Sequence, residues 1–394
     1  MVPAFHKPDA LMACLGSLAR ALRVGPPFGT VVVVNGPQPQ VTARLARHLR
    51  GATVIETPEN LGFGGAANLA ARESRCGPVL LTNDDVVVEP GWVGALLDAL
   101  EAEPSWGLVG SRVHWPDGRR QESGCVVFAD GCTVQVGRGL APGSRRFLAR
   151  RRVDYASGCA LACRREVWDA LGGLDPGFFP GYYEDVDLCL RARETGWATG
   201  YEPTAVVYHE ESASLPADAK HEALARGRAR LCTRWAAALA GHGPGSDAEP
   251  AAVAAATERA RGAAARVLLV LPGARDRLGT IEVAGRRLRE AGVALWLLAP
   301  DLGLGDALWI GRAGVEVLDV LDVPSAGPGA DLRDALASHL AEPGVSYDVL
   351  AGDPTAVPTR PRPRVPVLAP EALLGARDPV AALAALRPEA PEDA

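Results

Sequence analysis

The chain has 394 residues, 48% of them apolar and 22% charged, which is the composition of a folded protein and excludes disorder over its whole length. A single hydrophobic core stops growing at roughly 250–300 residues, so two domains are expected. With 41 basic and 47 acidic residues the net charge is -6, and since no overall field recruits a polyanion, no nucleic-acid partner is expected.

The opening M-V-P-A-F-H reads as the end of an unusually short first strand, and a helix follows through Leu11, Leu15, Leu18 and Leu22. Next come a β-branched strand from Thr30 to Val34, ended by Asn35-Gly36-Pro37, a helix from Val41 to Leu49, and a third strand from Ala52 to Glu56. This β-α-β-α-β beginning predicts a parallel, nucleotide-binding sheet. The Gly-rich segment N-L-G-F-G-G-A-A-N-L-A-A-R, from Asn60 to Arg72, passes from loop into helix. A buried strand from Pro78 to Thr82 then ends in Asn83-Asp84-Asp85, placing carboxylates at the carboxyl edge of the sheet, where open α/β folds bind ligands. A helix presenting Trp92, Val93, Leu96, Leu97 and Leu100 follows, then a strand-rich region from Trp106 to Leu140.

Further on, a strand from Val153 to Cys163 leads to a short helix, a Gly-rich loop and a second helix from Glu184 to Glu194. In that helix Asp187 and Arg191 have the spacing to pair on its surface. Two strands, Ala198 to Tyr201 and Ala205 to Tyr208, bring in His209. From Gly241 to Ala265 the composition shifts to that of a linker or a loosely packed helix. Five apolar runs follow (Val267 to Leu271, Val293 to Ala299, Val315 to Val320, Tyr347 to Ala351, Val365 to Ala369), and the helical stretch Ile281 to Glu290 between the first two predicts a second α/β domain. The expected division is 1–240, a linker 241–265, a second domain 266–375, and a tail 376–394 ending in disorder.

Eight cysteines without a C-x-x-C pair read as reduced packing residues, which suits a cytosol. There is no signal core and no run of about 18 apolar residues, so the expected location is cytoplasmic, with any membrane contact peripheral. One basic run, Arg145, Arg146, Arg150, Arg151 and Arg152, is either solvated or set against an anionic lipid surface or an acceptor phosphate.

The Asn83-Asp84-Asp85 cluster offers oxygen ligands of the type that hard divalent cations prefer, although such triplets are commonly turns. Glu184-Asp185-Val186-Asp187 opens a helix, whose positive field is expected to keep a base ionised near neutral pH; the alternative is that these acids only complement the dipole. His209 is a structural residue or a divalent ligand. Gly158, the Gly172-Gly173 turn and Gly62, Gly64 and Gly65 either allow close backbone approach or serve ordinary turns. No Lys-Ser/Thr follows the last three, so they form no Walker loop.

Taken in order, N-L-G-F-G-G-A-A-N, L-L-T-N-D-D-V-V-V-E-P-G-W, S-G-C-A-L-A-C-R-R-E-V-W-D-A-L-G-G-L-D-P-G-F-F-P-G-Y-Y-E-D-V-D-L-C-L-R and V-V-Y-H-E-E-S resemble family-2 glycosyltransferases of the rhamnosyltransferase-like branch, over about residues 1–235. The resemblance implies a GT-A type mixed α/β sheet flanked by helices. It also implies Mg²⁺ or Mn²⁺ held by Asp85 and His209, with Asn83 and Asp84 on the ribose and diphosphate side. Further nucleotide-sugar contacts would come from Pro3, Asn35, Asn60, Gly65 and Asn68, with Asp185 as general base and Glu184 as its acceptor-side partner. The implied reaction is inverting transfer of a sugar, rhamnose from dTDP-rhamnose, to a saccharide or lipid-linked saccharide in cell-surface polysaccharide synthesis.

Three departures stand out. Val34 occupies the place of an acid that contacts the base, Asn83 replaces the first acid of the D-x-D motif, and the first strand is nearly missing before Pro3, as if the start lay upstream. A non-catalytic sugar-nucleotide or glycan-binding protein on a decayed transferase scaffold is the alternative; Val34 and the short strand favour it, Asp85, Asp185 and His209 oppose it. Residues 266–375 resemble one Rossmann-like half of a GT-B glycosyltransferase, with a structural, regulatory or scaffold role expected.

Overall fold

The computed structural model describes residues 1–49, 51–74, 76–211, 216–243, 245, 250–263, 265–271, 273–299, 301–318, 347, 349–352 and 367–374. The chain divides into one unit of Met1–Pro142 with Arg152–Glu249 and a second of Gly143–Arg151 with Pro250–Ala394.

In the first unit, β1 (Val2–Ala4), α1 (Pro8–Val24), β2 (Val31–Val34), α2 (Pro39–His48) and β3 (Thr53–Glu56) build a parallel three-stranded sheet in the order β1-β2-β3. Its residues alternate between two cores. Val31 and Val33 pack with Ala66, Ala67 and Ala70, whereas Val32 and Val34 pack with Leu11, Leu15 and Leu18 of α1, so the sheet is covered on both faces. The chain continues through α3 (Gly62–Glu73) to β4 (Val79–Thr82), where Thr82 N–H donates to Met1 O at 3.1 Å and sets β4 beside β1. Then follow β5 (Val86–Val88), α4 (Trp92–Ala102), β6 (Trp106–His114), β7 (Arg120–Ser123) and the hairpin of β8 (Cys125–Val127) with β9 (Thr133–Gln135). After them come β10 (Arg151–Val153), β11 (Ala160–Cys163), α5 (Arg165–Leu171), α6 (Glu184–Glu194), β12 (Ala198–His209) and α7 (Ala217–Leu239). The seven-stranded sheet runs β10-β12-β6-β11-β4, with β5 on β12 and β7 on β6; β11 is antiparallel to both its neighbours and β12 parallel to β6, so the sheet is mixed.

Three local expectations change. The strand expected from Val153 to Cys163 is two, β10 and β11, with β10 beside β12 and β11 between β6 and β4. Where two strands were expected before His209 there is one, β12, with a register shift between Glu202 and Val206: buried Glu202 accepts from Thr204 N at 2.9 Å and absorbs the irregularity at Pro203. Asp187 and Arg191 do pair, at 2.7 Å, but in the interior. Asp187 also accepts from Trp235 Nε1 at 2.9 Å, and Arg191 donates to Leu171 O at 2.8 Å and Gly173 O at 2.7 Å, tying α6 to α7 and to the Gly172-Gly173 turn.

The second unit contains α8 (Pro250–Arg261), β13 (Ala265–Val270), α9 (Leu278–Glu290), β14 (Val293–Leu298), α10 (Leu304–Gly311), β15 (Val315–Leu318), β16 (Val349–Gly352), β17 (Val367–Leu368) and α11 (Pro370–Leu374). Its strands are parallel in the order β15-β14-β13-β16-β17, a doubly wound arrangement. The stretch read as a linker or loosely packed helix carries α8, while positions 246–249, 319–320, 348 and 365–366 and the tail 376–394 lie outside the described residues.

The arginine run is divided by burial. Arg145 and Arg146 are partly exposed, but Arg150 and Arg151 are buried, and Leu148 packs into the core of the second unit. Buried Glu316 accepts from Leu148 N at 3.0 Å and from Arg261 Nη2 at 3.0 Å, with Arg151 Nη1 at 3.8 Å. Two guanidiniums facing one buried carboxylate leave Arg151 no freedom to meet a lipid surface, so the solvated or lipid-facing reading fails for Arg150 and Arg151 while Arg152 is exposed. Replacing the carboxylate strands buried positive charge, so Glu316→Gln should lower the stability of the second unit by about 3 kcal/mol, read as faster amide hydrogen exchange in β13 and β14. Unchanged protection there would contradict this account.

Candidate active site

Strand pairing assembles the first part of the site. Antiparallel register sets His209, the last residue of β12, opposite Val86, the first of β5, and so beside the Asn83-Asp84-Asp85 turn at the end of β4. His209 Nε2 lies 3.1 Å from Asp85 Oδ1 and 3.4 Å from Asn83 Nδ2, while Lys7 Nζ, at the start of α1, reaches Asp85 Oδ2 at 3.3 Å. Burial pushes the Asp85 carboxyl up, but the hydrogen bond and charge of His209 and the Lys7 ammonium overrule it and hold the pKa at about 2. Asp84 goes the other way. Burial raises it to about 6, although Phe5 N–H donates to its Oδ2 at 2.8 Å. Neighbouring acids thus differ because one faces cations and the other faces main chain.

The second part stands at the start of α6. Tyr182 and Tyr183 both adopt left-handed backbone, at φ 76° and 74°, immediately before Glu184 and Asp185. Gly227 of α7 is what makes room: a Cβ there would come within 2.8 Å of Tyr182 O and 3.0 Å of the Tyr183 ring. Asp185 accepts from Gly158 N–H at 2.9 Å and from Val186 N–H at 2.8 Å. The helix field was expected to keep these acids ionised, but burial dominates. It raises Asp185 above the usual carboxylate range against the pull of both amides, and raises Glu184 well above it, with the Asp185 charge adding to the effect. Glu184 is buried, and its Oε2 has no hydrogen-bond partner within the protein.

Both parts line one cleft of about 350 Å³, together with Pro3, Asn35, Asn60, Asn83, Asp84 and Gly158. Asn35 and Asn60 are also tied to each other at 3.0 Å, and Asn35 Oδ1 accepts from Leu61 N at 2.7 Å, bracing the entry to α3. Gly65 and Asn68 do not reach this cleft. Asn68 clamps the main chain of Leu174, donating to its carbonyl at 2.7 Å and accepting from its amide at 2.9 Å, and a Cβ at Gly65 would stand 2.9 Å from Leu61 Cβ. Both instead line a separate depression with Leu61, Trp168 and Pro176. Val34, whose missing acid was the main departure, is buried in the core beside α1 and lines no part of the cleft.

Lys7, Gln121, Glu122, Arg138 and Glu211 join the site without having been singled out from the sequence. Lys7, Gln121, Glu122 and Arg138 stand far from His209 in the chain, Lys7 one residue before a helix-opening proline, whereas Glu211 follows His209 by two positions in the run H-E-E-S and so carried a local signal. Among the described residues no group of three or more His, Cys, Asp or Glu side chains converges to hold a metal ion. Asp85 and His209 nevertheless fit a divalent cation that takes its remaining ligands from phosphate oxygens and water, the usual habit of Mg²⁺. Chemically, the cleft offers the Asp85–His209 pair, with Lys7 behind Asp85, and buried carboxylates at Glu184 and Asp185 that can accept a proton.

The mixed sheet with acids at its carboxyl edge and a helix-borne carboxylate lining the same cleft defines a GT-A type glycosyltransferase fold. The model of the family described as glycosyltransferase like family 2 matches residues 1–238, and the chain belongs to that family. It is 30% identical over 232 residues to the O-antigen biosynthesis protein RfbC of Myxococcus xanthus, covering 57% of this chain and 18% of that protein. It is 28% identical over 217 residues to the N-acetylglucosaminyl-diphospho-decaprenol L-rhamnosyltransferase of Mycobacterium tuberculosis, covering 49% of this chain and 69% of that protein. Among solved structures it is similar to the mannosyltransferase PcManGT of Pyrobaculum calidifontis, in complex with GDP-Man and Mn²⁺, at 19% identity and a TM-score of 0.43, over 63% of this chain and 64% of that one. Among the described residues no helix is long and apolar enough to cross a membrane.

Proposed function

We propose that the first unit catalyses inverting transfer of a sugar, rhamnose from dTDP-rhamnose, to a saccharide or lipid-linked saccharide acceptor in cell-surface polysaccharide synthesis. The observation that carries this reading is a single cleft lined by both the Asp85–His209 pair and Asp185. Similarity to a rhamnosyltransferase and to an O-antigen biosynthesis protein supports the choice of sugar and pathway class.

In this reading Asp185 takes the proton of an acceptor hydroxyl as its oxygen attacks the anomeric carbon. The bond from that carbon to the diphosphate breaks on the opposite face, inverting the configuration. The Gly158 and Val186 amides aim the carboxylate, and its raised pKa makes it a stronger base than an exposed aspartate. Asp85 and His209 would hold Mg²⁺ or Mn²⁺, which neutralises the departing diphosphate; Lys7 adds a fixed positive charge beside it. Glu184, with one carboxyl oxygen unpartnered, is the group for an acceptor hydroxyl.

Full-length protein incubated with Mn²⁺ or Mg²⁺ and a panel of nucleotide sugars should release nucleoside diphosphate fastest from dTDP-rhamnose, with chelation by EDTA stopping release. Turnover of another donor alone would reassign the sugar. A folded protein that binds nucleoside diphosphate but turns over no donor would favour a binding role instead.

A further inference from the structure

Gln121 occupies an irregular position. The pairing of β6 with β7 runs Arg112 to Ser123, Val113 to Glu122, then jumps to His114 with Arg120, so Gln121 is the extra residue of a β-bulge. A regular strand sends successive side chains to opposite faces; the bulge re-aims one, and both Gln121 and Glu122 line the cleft.

From this position Gln121 Oε1 meets His209 Nδ1 at 3.0 Å, and the other end of the amide donates to Glu211. Glu211 is itself held in place, accepting from Trp115 Nε1 at 3.0 Å and from Arg138 Nη2 at 3.1 and 2.8 Å. An ionised carboxylate only accepts, so the Gln121 NH₂ must point to Glu211 and its carbonyl oxygen to His209. That oxygen in turn requires a proton on Nδ1, so Nε2, which faces Asp85 Oδ1 at 3.1 Å and donates to it in the metal-free protein, is the nitrogen left to offer a lone pair once a cation replaces its proton.

We propose that Gln121, locked in one amide orientation by Glu211, is a positioning residue that fixes the ring and tautomer of His209 so that Nε2 serves the cation held with Asp85. The inference rests on the metal-dependent reading above for its consequence, though the hydrogen-bond chain stands without it. In this assignment Gln121 and Glu211 act through His209.

Two measurements test it. With only seven histidines in the chain, selective ¹⁵N labelling can follow His209 in the metal-free protein, with His209→Asn identifying the resonance. Nδ1 should carry a proton, and a pyridine-type Nδ1 would overturn the inference alone, since no metal is involved. In the second, Mn²⁺ uptake in the presence of a nucleoside diphosphate is read from the electron paramagnetic resonance signal of the free ion. Gln121→Leu should weaken uptake roughly 10- to 100-fold, as loss of an orienting partner does elsewhere, and should add less than about twofold in a His209→Ala background. Affinity unchanged by Gln121→Leu in a protein that binds Mn²⁺, or full multiplication of the two effects, would refute the positioning role. Wild-type protein that takes up no Mn²⁺ would overturn the metal-dependent reading itself. If Gln121→Leu does not fold, the tautomer measurement on the wild-type chain decides.

Discussion

Replacing Asp185 by asparagine is expected to lower the turnover of sugar transfer about a thousandfold, within the range that a positioned general base contributes, while donor affinity stays within about twofold. Asparagine keeps the shape and still accepts from Gly158 N–H through its carbonyl oxygen, but it cannot take the acceptor proton. The pH dependence carries the same signature. A base works only when ionised, and burial places Asp185 above the ordinary carboxylate range. Transfer by the wild-type chain should therefore fall as pH drops through a limb lying above about 4, the usual aspartate value. Steady-state transfer kinetics from acid to mildly alkaline pH and equilibrium donor binding check both parts. A variant that retains most of its turnover, or one that loses donor binding in proportion, would remove Asp185 from the role of base.

Glu122→Gln is expected to make the protein more stable above neutral pH and to leave stability unchanged in acid. Burial pushes the Glu122 carboxyl up to about 7, the Asp185 charge adding to it and the Cys125 thiol and Ser157 amide opposing it. Between about 4.5, the value for an unfolded glutamate, and about 7, the folded chain holds a proton that the unfolded chain has lost. Stability therefore declines as pH rises through that window, and stays lower beyond it. A tenfold difference in proton affinity between the two states is worth about 1.4 kcal/mol, so the decline across the window is on the order of 3 kcal/mol, an upper figure because water entering the cleft lessens it. Glutamine is neutral at every pH and escapes the decline. Urea midpoints of the two proteins, measured once near the acid end of the window and once above it, should differ little in the first case and clearly in the second. A difference independent of pH would show that Glu122 is not the titrating group. A carboxyl that weakens the fold yet lines the cleft is the kind of compromise that functional sites retain.

Local patterns in the chain were enough to place the short polar runs that come to line the cleft. Asn83-Asp84-Asp85 follows an apolar strand, Glu184-Asp185 opens a helix, and His209 closes a strand, because a strand or helix end is written in the few residues around it. The doubly wound second unit was legible for the same reason, from apolar runs spaced by helical stretches. Composition and charge also argued against a polyanion partner without any geometry.

What the linear chain does not contain is which ends meet, and which polar groups burial makes structural. Lys7 reaches Asp85 across 78 positions, and Gln121 reaches His209 across 88. No periodicity reports such contacts, since they follow from strand order and from one extra residue in β7. Burial likewise turned Arg151 and the Asp187–Arg191 pair inward, and raised the carboxyls of Glu184 and Asp185 against the field of the helix end, because desolvation outweighs that field once water is excluded. The sequence by itself determined the kinds of side chain available and the strand and helix ends that carry them; only the tertiary structure decided which of them share a cleft, since distance and dielectric exist only once the chain has closed.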